Sequence, residues 1–231
     1  MITVVCFLWF DPKSPKPYQY DSSYVHELKK RIDKHLTLPH EFVCISDRQI
    51  KEIKTLPIDW TTYLPGTRFA KLSLFRPDGP LKGKRVLYLD LDCVLTDNID
   101  PIVDRPEDLV LWRNPNFGQP GRAFYNTSIM LHTVGTRPEF WDGFNRLAVA
   151  NAYQETGWGG TDQMWVSYLA SREEAHWTDA DGIYGHGRLG DSVEGAGTKL
   201  PDNARIVFFP GNRTQRTEEV LARSPWVKEY A

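Results

Sequence analysis

Residues 86–97 read Val86-Leu-Tyr-Leu-Asp-Leu-Asp-Cys-Val-Leu-Thr-Asp97, a short apolar run followed at once by the carboxylates of Asp90 and Asp92. An apolar run of this length predicts a strand that is buried on both faces. Acidic side chains at the carboxyl end of such a strand lie where open α/β sheets bind their ligands. Two neighbouring carboxylates repel unless a cation lies between them, and hard divalent cations prefer oxygen ligands. The segment therefore predicts a metal site that faces a phosphate-bearing substrate.

The residues before this strand predict a strand, a helix and a second strand. The apolar run Ile2–Phe10 is the first strand, a helix over Tyr24–Leu36 follows the capping residues Asp21–Ser23, and Glu41–Ser46 is the second strand. This spacing predicts a parallel pair joined by a right-handed crossover. The expected fold class is therefore α/β, with a Rossmann-like, mostly parallel central sheet flanked by helices.

The remaining elements are predicted from apolar spacing and from proline and glycine positions. They are a short helix over Thr67–Phe75, an edge strand over Leu109–Arg113, a strand over Tyr125–His132, a helix over Pro138–Asn151, a helix that opens at Thr161-Asp162-Gln163, and a last strand over Arg205–Phe209. Thr178–Lys199 contains six glycines and predicts an irregular loop.

Composition limits the possible functions. The chain has 231 residues and a formal net charge of −2, with a pI of about 6.3. Because it has no basic tract, binding to long nucleic acid is disfavoured. Cys6 and Cys44 lie in apolar strands, which indicates buried thiols in a reducing compartment. Ile2–Phe10 is too short for a membrane span and lacks the features of a signal peptide, so we expect a cytoplasmic protein without a transmembrane segment.

Several segments resemble the glycogenin-like family 8 of nucleotide-sugar glycosyltransferases, which have the GT-A fold. The resemblance covers most of the chain and keeps the order of the family's motifs. The matching segments are Lys71-Leu-Ser-Leu-Phe75 (the basic helix), Val86–Asp92 (the DxD strand), Asp100-Pro-Ile102 (the following turn), Asn126-Thr-Ser-Ile-Met130 (the asparagine-led strand), Asp162-Gln163 and the glycine turn Pro210-Gly211.

The resemblance implies a single GT-A-like domain over residues 1–231. Residues 1–109 would form the half that binds the nucleotide sugar, and residues 110–231 the acceptor side, including the glycine-rich loop 178–199. The implied reaction is metal-dependent transfer of a hexose from a nucleotide-diphosphate sugar, a UDP-hexose, to a hydroxyl acceptor such as a glycan, with retention of configuration.

The resemblance also implies roles for individual residues. Asp90 and Asp92 would hold Mn²⁺ or Mg²⁺ against the diphosphate, with Asp90 also near the ribose or sugar. Lys71 would neutralise charge on the departing nucleotide diphosphate. The transferred sugar and the acceptor would be contacted by Asn126, Asp162 and Gln163.

Four further residues are candidates for nucleotide binding. Trp9 lies at the end of the first predicted strand and Asp47 directly after the second, where the base should lie. Gly211 lies in the C-terminal glycine turn, and Arg213 is suited to forked contacts with the diphosphate. The sequence departs from the family pattern in one respect, because residues 206–210 contain no histidine to serve as the third metal ligand. There are three alternatives. His186 in the glycine-rich loop is the third ligand, water completes the ligand shell, or the metal is bound weakly.

Two other functions remain open at this point. Asp90-Leu-Asp92 also resembles the first motif of haloacid-dehalogenase-like phosphatases, in which Asp90 would be the nucleophile and Asp92 the general acid. Gly190-Asp191-Ser192 imitates the distal acidic motif of those enzymes. However, their motif belongs to the first strand, whereas a whole strand–helix–strand unit precedes Asp90 here. A non-catalytic sugar-nucleotide-binding module would keep the fold and lack turnover.

Overall fold

The computed structural model describes residues 1–9, 20–58, 68–159, 161–186, 197, 199–209 and 214–230. The strands in these ranges are β1 (Ile2–Leu8), β2 (His40–Ser46), β3 (Lys54–Pro57), β4 (Arg85–Leu89), β5 (Cys93–Leu95), β6 (Leu109–Arg113), β7 (Tyr125–Thr133), β8 (Ala175–Trp177), β9 (Ile183–Gly185) and β10 (Ile206–Phe208). The helices are α1 (Ser22–His35), α2 (Asp100–Val103), α3 (Glu139–Asp142), α4 (Arg146–Thr156), α5 (Asp162–Leu169), α6 (Glu218–Arg223) and α7 (Val227–Tyr230). Two 3-10 helices cover Arg68–Phe75 and Asp179–Asp181.

The described strands form two sheets. The larger sheet has seven strands in the order β3-β2-β1-β4-β7-β6-β8, and the smaller one has three in the order β5-β10-β9. In the larger sheet β7 runs antiparallel to both of its neighbours, β4 and β6, while the other pairs are parallel. The expected α/β class with a mostly parallel central sheet is therefore confirmed.

The N-terminal strand–helix–strand unit forms as its sequence predicts. Asp21 caps α1 by accepting a hydrogen bond from the backbone N of Ser23 at 2.8 Å. Along the helix, Val25, Leu28 and Ile32 are fully buried. These apolar side chains hold α1 against the sheet, where β1 and β2 pair in parallel.

Apolar residues pack on both faces of the larger sheet. One cluster joins α1 and the smaller sheet to one face, and a second joins the 3-10 helix Arg68–Phe75 and helices α3 to α5 to the other. A third cluster lies around Phe209 and Trp226 beside the smaller sheet. The central strands β1 and β4 are consequently buried on both sides, as their continuous apolar runs indicate.

Some predicted elements differ from the structure. Leu109–Arg113 is not an edge strand, because Val110–Trp112 pairs with Ala175–Trp177. The helix predicted over Pro138–Asn151 is divided into α3 and α4, since the side chain of Asn145 accepts a hydrogen bond from Ala148 N at 2.9 Å and starts a new helix.

The glycine-rich loop 178–199 is also more regular at its start than its composition predicts. Thr178 and Asp181 form a capping box for a 3-10 turn, and Gly182, with φ of 85°, leads into β9. Residues 187–196 and 198 of this loop lie outside the described residues. In the described part of the chain, no helix is long and apolar enough to span a bilayer.

Candidate functional site

Asp90 and Asp92 lie where the chain passes from the larger sheet to the smaller one. The backbone N of Asp90 donates to Ser128 O at 2.9 Å and so extends the pairing of β4 with β7. The carbonyl of Asp92 accepts from Phe209 N at 3.0 Å, in line with the pairing of β5 with β10. The backbone position of each acid is therefore fixed by a different sheet.

A buried lysine joins Asp90 to a carboxylate from a distant part of the chain. Lys71 Nζ lies 2.9 Å from Asp90 Oδ1 and 3.2 Å from Asp162 Oδ2. It also donates to Thr127 O at 3.3 Å. Only 8% of the Lys71 side chain is exposed, against 27% for Asp90 and 4% for Asp162. The ammonium group thus holds two carboxylates together at the end of β4, in a partly desolvated setting where charge pairing is strong.

Two hydroxyl groups complete this ion triad. The phenol of Tyr88 donates to Asp90, and the ring of Tyr88 lies 4.9 Å from Lys71 Nζ. The hydroxyl of Thr127 donates to Asp162. Hydrogen bonds to charged acceptors are stronger than those between neutral groups, so these contacts orient both carboxylates.

The contacts also determine protonation. Burial raises the pKa of Asp90, but the charge of Lys71 and the hydrogen bond from Tyr88 outweigh it and hold that pKa below its usual value. For Lys71, burial lowers the pKa, and the charges of Asp162 and Asp90 reverse this and raise it. Burial and the charge of Asp90 raise the pKa of the Tyr88 phenol well above its usual value. At neutral pH Asp90 is therefore ionised, Lys71 is charged and Tyr88 is a hydrogen-bond donor.

Asp92 has a different partner. The phenol of Tyr20 donates to Asp92 Oδ2 at 2.9 Å, and its ring packs edge-on against Tyr24 with a centroid distance of 5.0 Å. A tyrosine near the N-terminus is therefore brought to the second acid of the motif.

The other predicted sugar-contacting residues lie close to the triad along the chain. Asn126 stands next to Thr127 in β7, and its side chain accepts from Ser128 N at 2.8 Å. Gln163 follows Asp162 in the first turn of α5 and is half-buried. Thr161, rather than Asp162, occupies the cap position of that helix. The fold thus joins Lys71, Asp90 and Asp162 from three separate segments, while Asn126 and Gln163 are each adjacent in sequence to a residue that contacts this triad or belongs to it.

Two of the four candidates for nucleotide binding, Trp9 and Asp47, lie at the same edge of the sheet as Asp90. Trp9 and Asp47 directly follow the register pair Leu8↔Ser46 at the carboxyl ends of β1 and β2. Trp9 packs edge-on against Phe7 at 6.5 Å. The carboxylate of Asp47 accepts from Arg48 at 2.8 and 3.1 Å. Gly211 and Arg213 lie outside the described residues.

His186 is a buried residue and not a solvent-facing loop histidine. Its Nε2 is hydrogen-bonded to Ser224 Oγ at 2.8 Å, and its ring stacks on Phe209 with a centroid distance of 4.8 Å. Within the described ranges, no three His, Cys, Asp or Glu side chains are grouped so as to hold a metal ion. His186 therefore does not complete a metal site with Asp90 and Asp92.

The donor set nevertheless fits a hard divalent cation. Asp90 and Asp92 supply carboxylate oxygens, which Mg²⁺ and Mn²⁺ prefer, and Asp90 is held in its ionised form. Mg²⁺ in particular keeps several water ligands, so two protein carboxylates are a sufficient start for such a site.

Sequence reasoning missed Tyr88, Thr127 and Tyr20, and also Gln215, whose side-chain Nε2 donates to the carbonyl of Leu91 at 3.3 Å. The contact of Tyr88 with Asp90 is predictable from the sequence, because residues two apart on a strand share a face and Tyr88 precedes Asp90 by two. Thr127 depends on the β4–β7 register, and Tyr20 and Gln215 are placed by tertiary packing alone.

Comparison with solved structures establishes the fold. The chain is similar to galactosyltransferase LgtC in complex with donor and acceptor sugar analogues, with a TM-score of 0.62 and 13% identity over 98% of this chain and 94% of that one. An active-site mutant of LgtC gives a TM-score of 0.64 at 13% identity, with the same coverage. The apo form of glycosyltransferase GlyE from Streptococcus pneumoniae TIGR4 gives 0.60 at 14% identity, over 94% of this chain and 56% of that one.

These likenesses confirm the GT-A-like α/β fold. No protein-family model matches the sequence, and no curated protein matches it. The fold also disfavours the phosphatase alternative, because the Asp-x-Asp motif follows the fourth strand of the chain and a complete parallel unit precedes it. Gly190-Asp191-Ser192, the other half of that resemblance, lies outside the described residues.

Proposed function

We propose that this protein is a glycosyltransferase that moves a hexose from a nucleotide-diphosphate sugar, a UDP-hexose, to a hydroxyl acceptor such as a glycan, with retention of configuration. The observation that supports it most strongly is the Lys71–Asp90–Asp162 triad at the carboxyl edge of a GT-A-like sheet. The similar enzyme LgtC has been seen with donor and acceptor sugar analogues. Carboxylate and amide groups at this edge of the sheet can hydrogen-bond to the many hydroxyl groups of a sugar.

In this proposal Asp90 and Asp92 hold Mn²⁺ or Mg²⁺. When bound, the cation would neutralise negative charge on the diphosphate leaving group. The expected place of the nucleotide base is beside Trp9 and Asp47, which lie at the same sheet edge as Asp90. Gly211 and Arg213 are proposed to contact the diphosphate.

The sugar is bound by the triad and its neighbours. Asp90 and Asp162 are oriented by Lys71 and can accept hydrogen bonds from sugar hydroxyls, and Asn126 and Gln163 are proposed to contact the transferred sugar and the acceptor. Lys71 was expected from the sequence to meet the diphosphate directly. Its contacts with two carboxylates support an indirect role, in which Lys71 acts on the leaving group by holding Asp90 and Asp162 in position. A direct contact between Lys71 and the diphosphate stays a prediction.

The proposal is tested by measuring thermal stability with a panel of nucleotide sugars, with and without Mn²⁺. Because a ligand that binds only the folded state raises its stability, the matching donor at 100 times its Kd should add about 2.7 kcal/mol. We expect the shift to need Mn²⁺ and to disappear in Asp92→Asn, which keeps the shape of the side chain and removes its charge.

Activity is then measured with the donor that gives the largest shift and a range of hydroxyl acceptors. Formation of a glycosylated product supports the proposal. Donor binding without turnover over the whole acceptor range would favour the non-catalytic module, and hydrolysis of p-nitrophenyl phosphate would favour the phosphatase.

A further inference from the structure

A buried glutamine amide lies against the backbone of the acidic motif. Gln215 is fully buried, and its Nε2 donates to the carbonyl of Leu91, the residue between Asp90 and Asp92, at 3.3 Å. Among the described residues, no group donates a hydrogen bond to the other polar atom of this amide, Oε1. A polar oxygen that is buried without a partner is rare in folded proteins, and a bound ion can satisfy such an atom.

The orientation of this amide is set by its partner. The Leu91 carbonyl is an acceptor and can be served only by the NH₂ group of Gln215. Rotating the amide by half a turn would place two oxygens against each other. Oε1 is therefore directed away from Leu91 O and retains its capacity to accept or coordinate.

Contacts on both sides hold Gln215 in place. Thr214 Oγ1 is hydrogen-bonded to Tyr24 OH at 3.2 Å, and the backbone N of Thr217 donates to Thr214 O at 3.0 Å. Arg216 reaches α1, where its guanidinium lies 3.8 Å from the ring of Tyr24 and donates to Glu27 at 2.6 Å. A side chain on so well anchored a turn is preorganised, which reduces the entropy lost on binding.

We propose that Gln215 Oε1 is the third protein ligand of the divalent cation held by Asp90 and Asp92. It would take the place of the histidine that the glycosyltransferase family has near its last strand. In this chain Phe208 and Phe209 lie in that region and are buried in apolar clusters. Amide carbonyls are hard oxygen donors, so the resulting site consists of oxygen ligands and selects Mn²⁺, Mg²⁺ or Ca²⁺ over softer metals. This inference rests on the metal site of the proposed function.

The test is the affinity of the full chain for Mn²⁺ without any sugar nucleotide, measured from the electron paramagnetic resonance signal of free Mn²⁺. Gln215→Leu keeps most of the side-chain volume and removes both polar atoms, and we expect it to weaken Mn²⁺ binding at least tenfold. Gln215→Glu keeps an oxygen ligand but, once ionised, cannot donate to Leu91 O, and we expect it to bind Mn²⁺ as tightly as the wild type or more tightly.

The two variants separate coordination from support of the backbone. If Gln215 only holds Leu91 in place, Gln215→Glu should weaken Mn²⁺ binding as much as Gln215→Leu does. Thr96→Val is the matched control, because it removes a buried hydroxyl whose partner, Ala204 O at 2.7 Å, belongs neither to Asp90–Asp92 nor to the turn that carries Gln215; its Mn²⁺ affinity should equal that of the wild type. Thermal unfolding in EDTA checks that each variant is folded, and if the Leu variant is not, the Glu variant alone decides.

The inference is overturned by a loss of less than tenfold in the Leu variant, by weaker binding in the Glu variant, or by a wild type that binds no Mn²⁺. Sugar transfer by the wild type is measured separately. If the wild type transfers sugar but its metal binding does not depend on Gln215, Gln215 is rejected as a ligand and the proposed function is kept. If metal binding depends on Gln215 but no sugar is transferred, Gln215 is kept as a ligand and the proposed function is rejected.

Discussion

Lys71 neutralises two carboxylates that the fold has placed side by side. Removing one partner of a buried ion pair leaves an uncompensated charge and typically costs about 3–5 kcal/mol. We therefore expect Lys71→Met to lower the free energy of unfolding by about 3–5 kcal/mol at pH 7, as measured by urea denaturation.

The exposed pair Lys29–Asp33, whose side chains are 38% and 48% exposed, provides the control. Lys29→Met should cost less than about 1 kcal/mol, because surface ion pairs are screened by water. Adding Asp162→Asn to Lys71→Met should recover part of the lost stability, since one of the two unpaired charges disappears. Equal costs for Lys71→Met and Lys29→Met would show that the triad contributes no more than a surface contact.

His132 makes stability depend on pH. It is fully buried in β7, and Nε2 is hydrogen-bonded to Leu74 O at 2.9 Å. Burial lowers its pKa from 6.5 to about 4, so the folded protein holds the neutral ring while the unfolded chain takes up a proton first. Stability should therefore fall by roughly 3 kcal/mol as the pH drops from 6.5 to 4.

The measurement is urea denaturation of the wild type and of His132→Gln between about pH 4 and pH 7, the range in which the folded and unfolded rings differ in charge. The amide of glutamine can still donate to Leu74 but does not titrate. We expect a shallower dependence on pH in the variant; parallel curves would mean that other groups cause the loss.

The sequence predicts which side chains belong to the site better than it predicts which of them contact one another. The position of Asp90 and Asp92 after a buried strand follows from the apolar run. The approach of Asp162 to Lys71 does not, because it depends on where α5 packs against the 3-10 helix Arg68–Phe75. The sequence therefore predicts a set of polar residues, and the structure joins some of them into one triad.

The smaller sheet depends on a tight turn before β9. Gly182 has a φ of 85°, and a Cβ at that position would lie 2.3 Å from the carbonyl oxygen of Asn203. We expect Gly182→Ala to cost about 2–4 kcal/mol, from left-handed strain together with the steric conflict. Differential scanning calorimetry measures the change.

Gly83 separates these two causes. It has a φ of 75°, but nothing lies within 4 Å of the place that a Cβ would occupy, so Gly83→Ala carries the backbone strain without the conflict. It should cost about 1 kcal/mol. A cost for Gly182→Ala as small as that for Gly83→Ala would mean that the turn can move away from Asn203.

Elements with a clear apolar pattern, either continuous or at helical spacing, were the ones that the sequence predicted best. α1 and β4 agree with the structure to within two residues. β8 and β9 were missed, since each has three residues and no periodicity can be read from so short a run. Their strand geometry comes from pairing with β6 and β10, which only the folded chain provides.

The two halves of the chain share one core. β4 from residues 1–109 pairs with β7 from residues 110–231, and the apolar cluster on that side of the sheet contains Leu72 together with Phe140 and Trp165. We expect neither half to fold alone, because separation would expose β4 as an unpaired apolar edge. Circular dichroism and urea unfolding of each half, alone and mixed, provide the measurement, and a cooperative transition in residues 1–109 alone would contradict this expectation.

The passage of the chain between two sheets at Asp90 and Asp92 affects how such a site can evolve. Since the backbone of each acid is fixed by a different sheet, the separation of the carboxylates depends on the angle at which the sheets pack. Apolar substitutions in β9 or β10 can alter that angle without touching either acid. Mutations in the hydrophobic interior could therefore change the spacing of the two carboxylates, and with it the proposed metal binding, while the acidic motif itself stays unchanged.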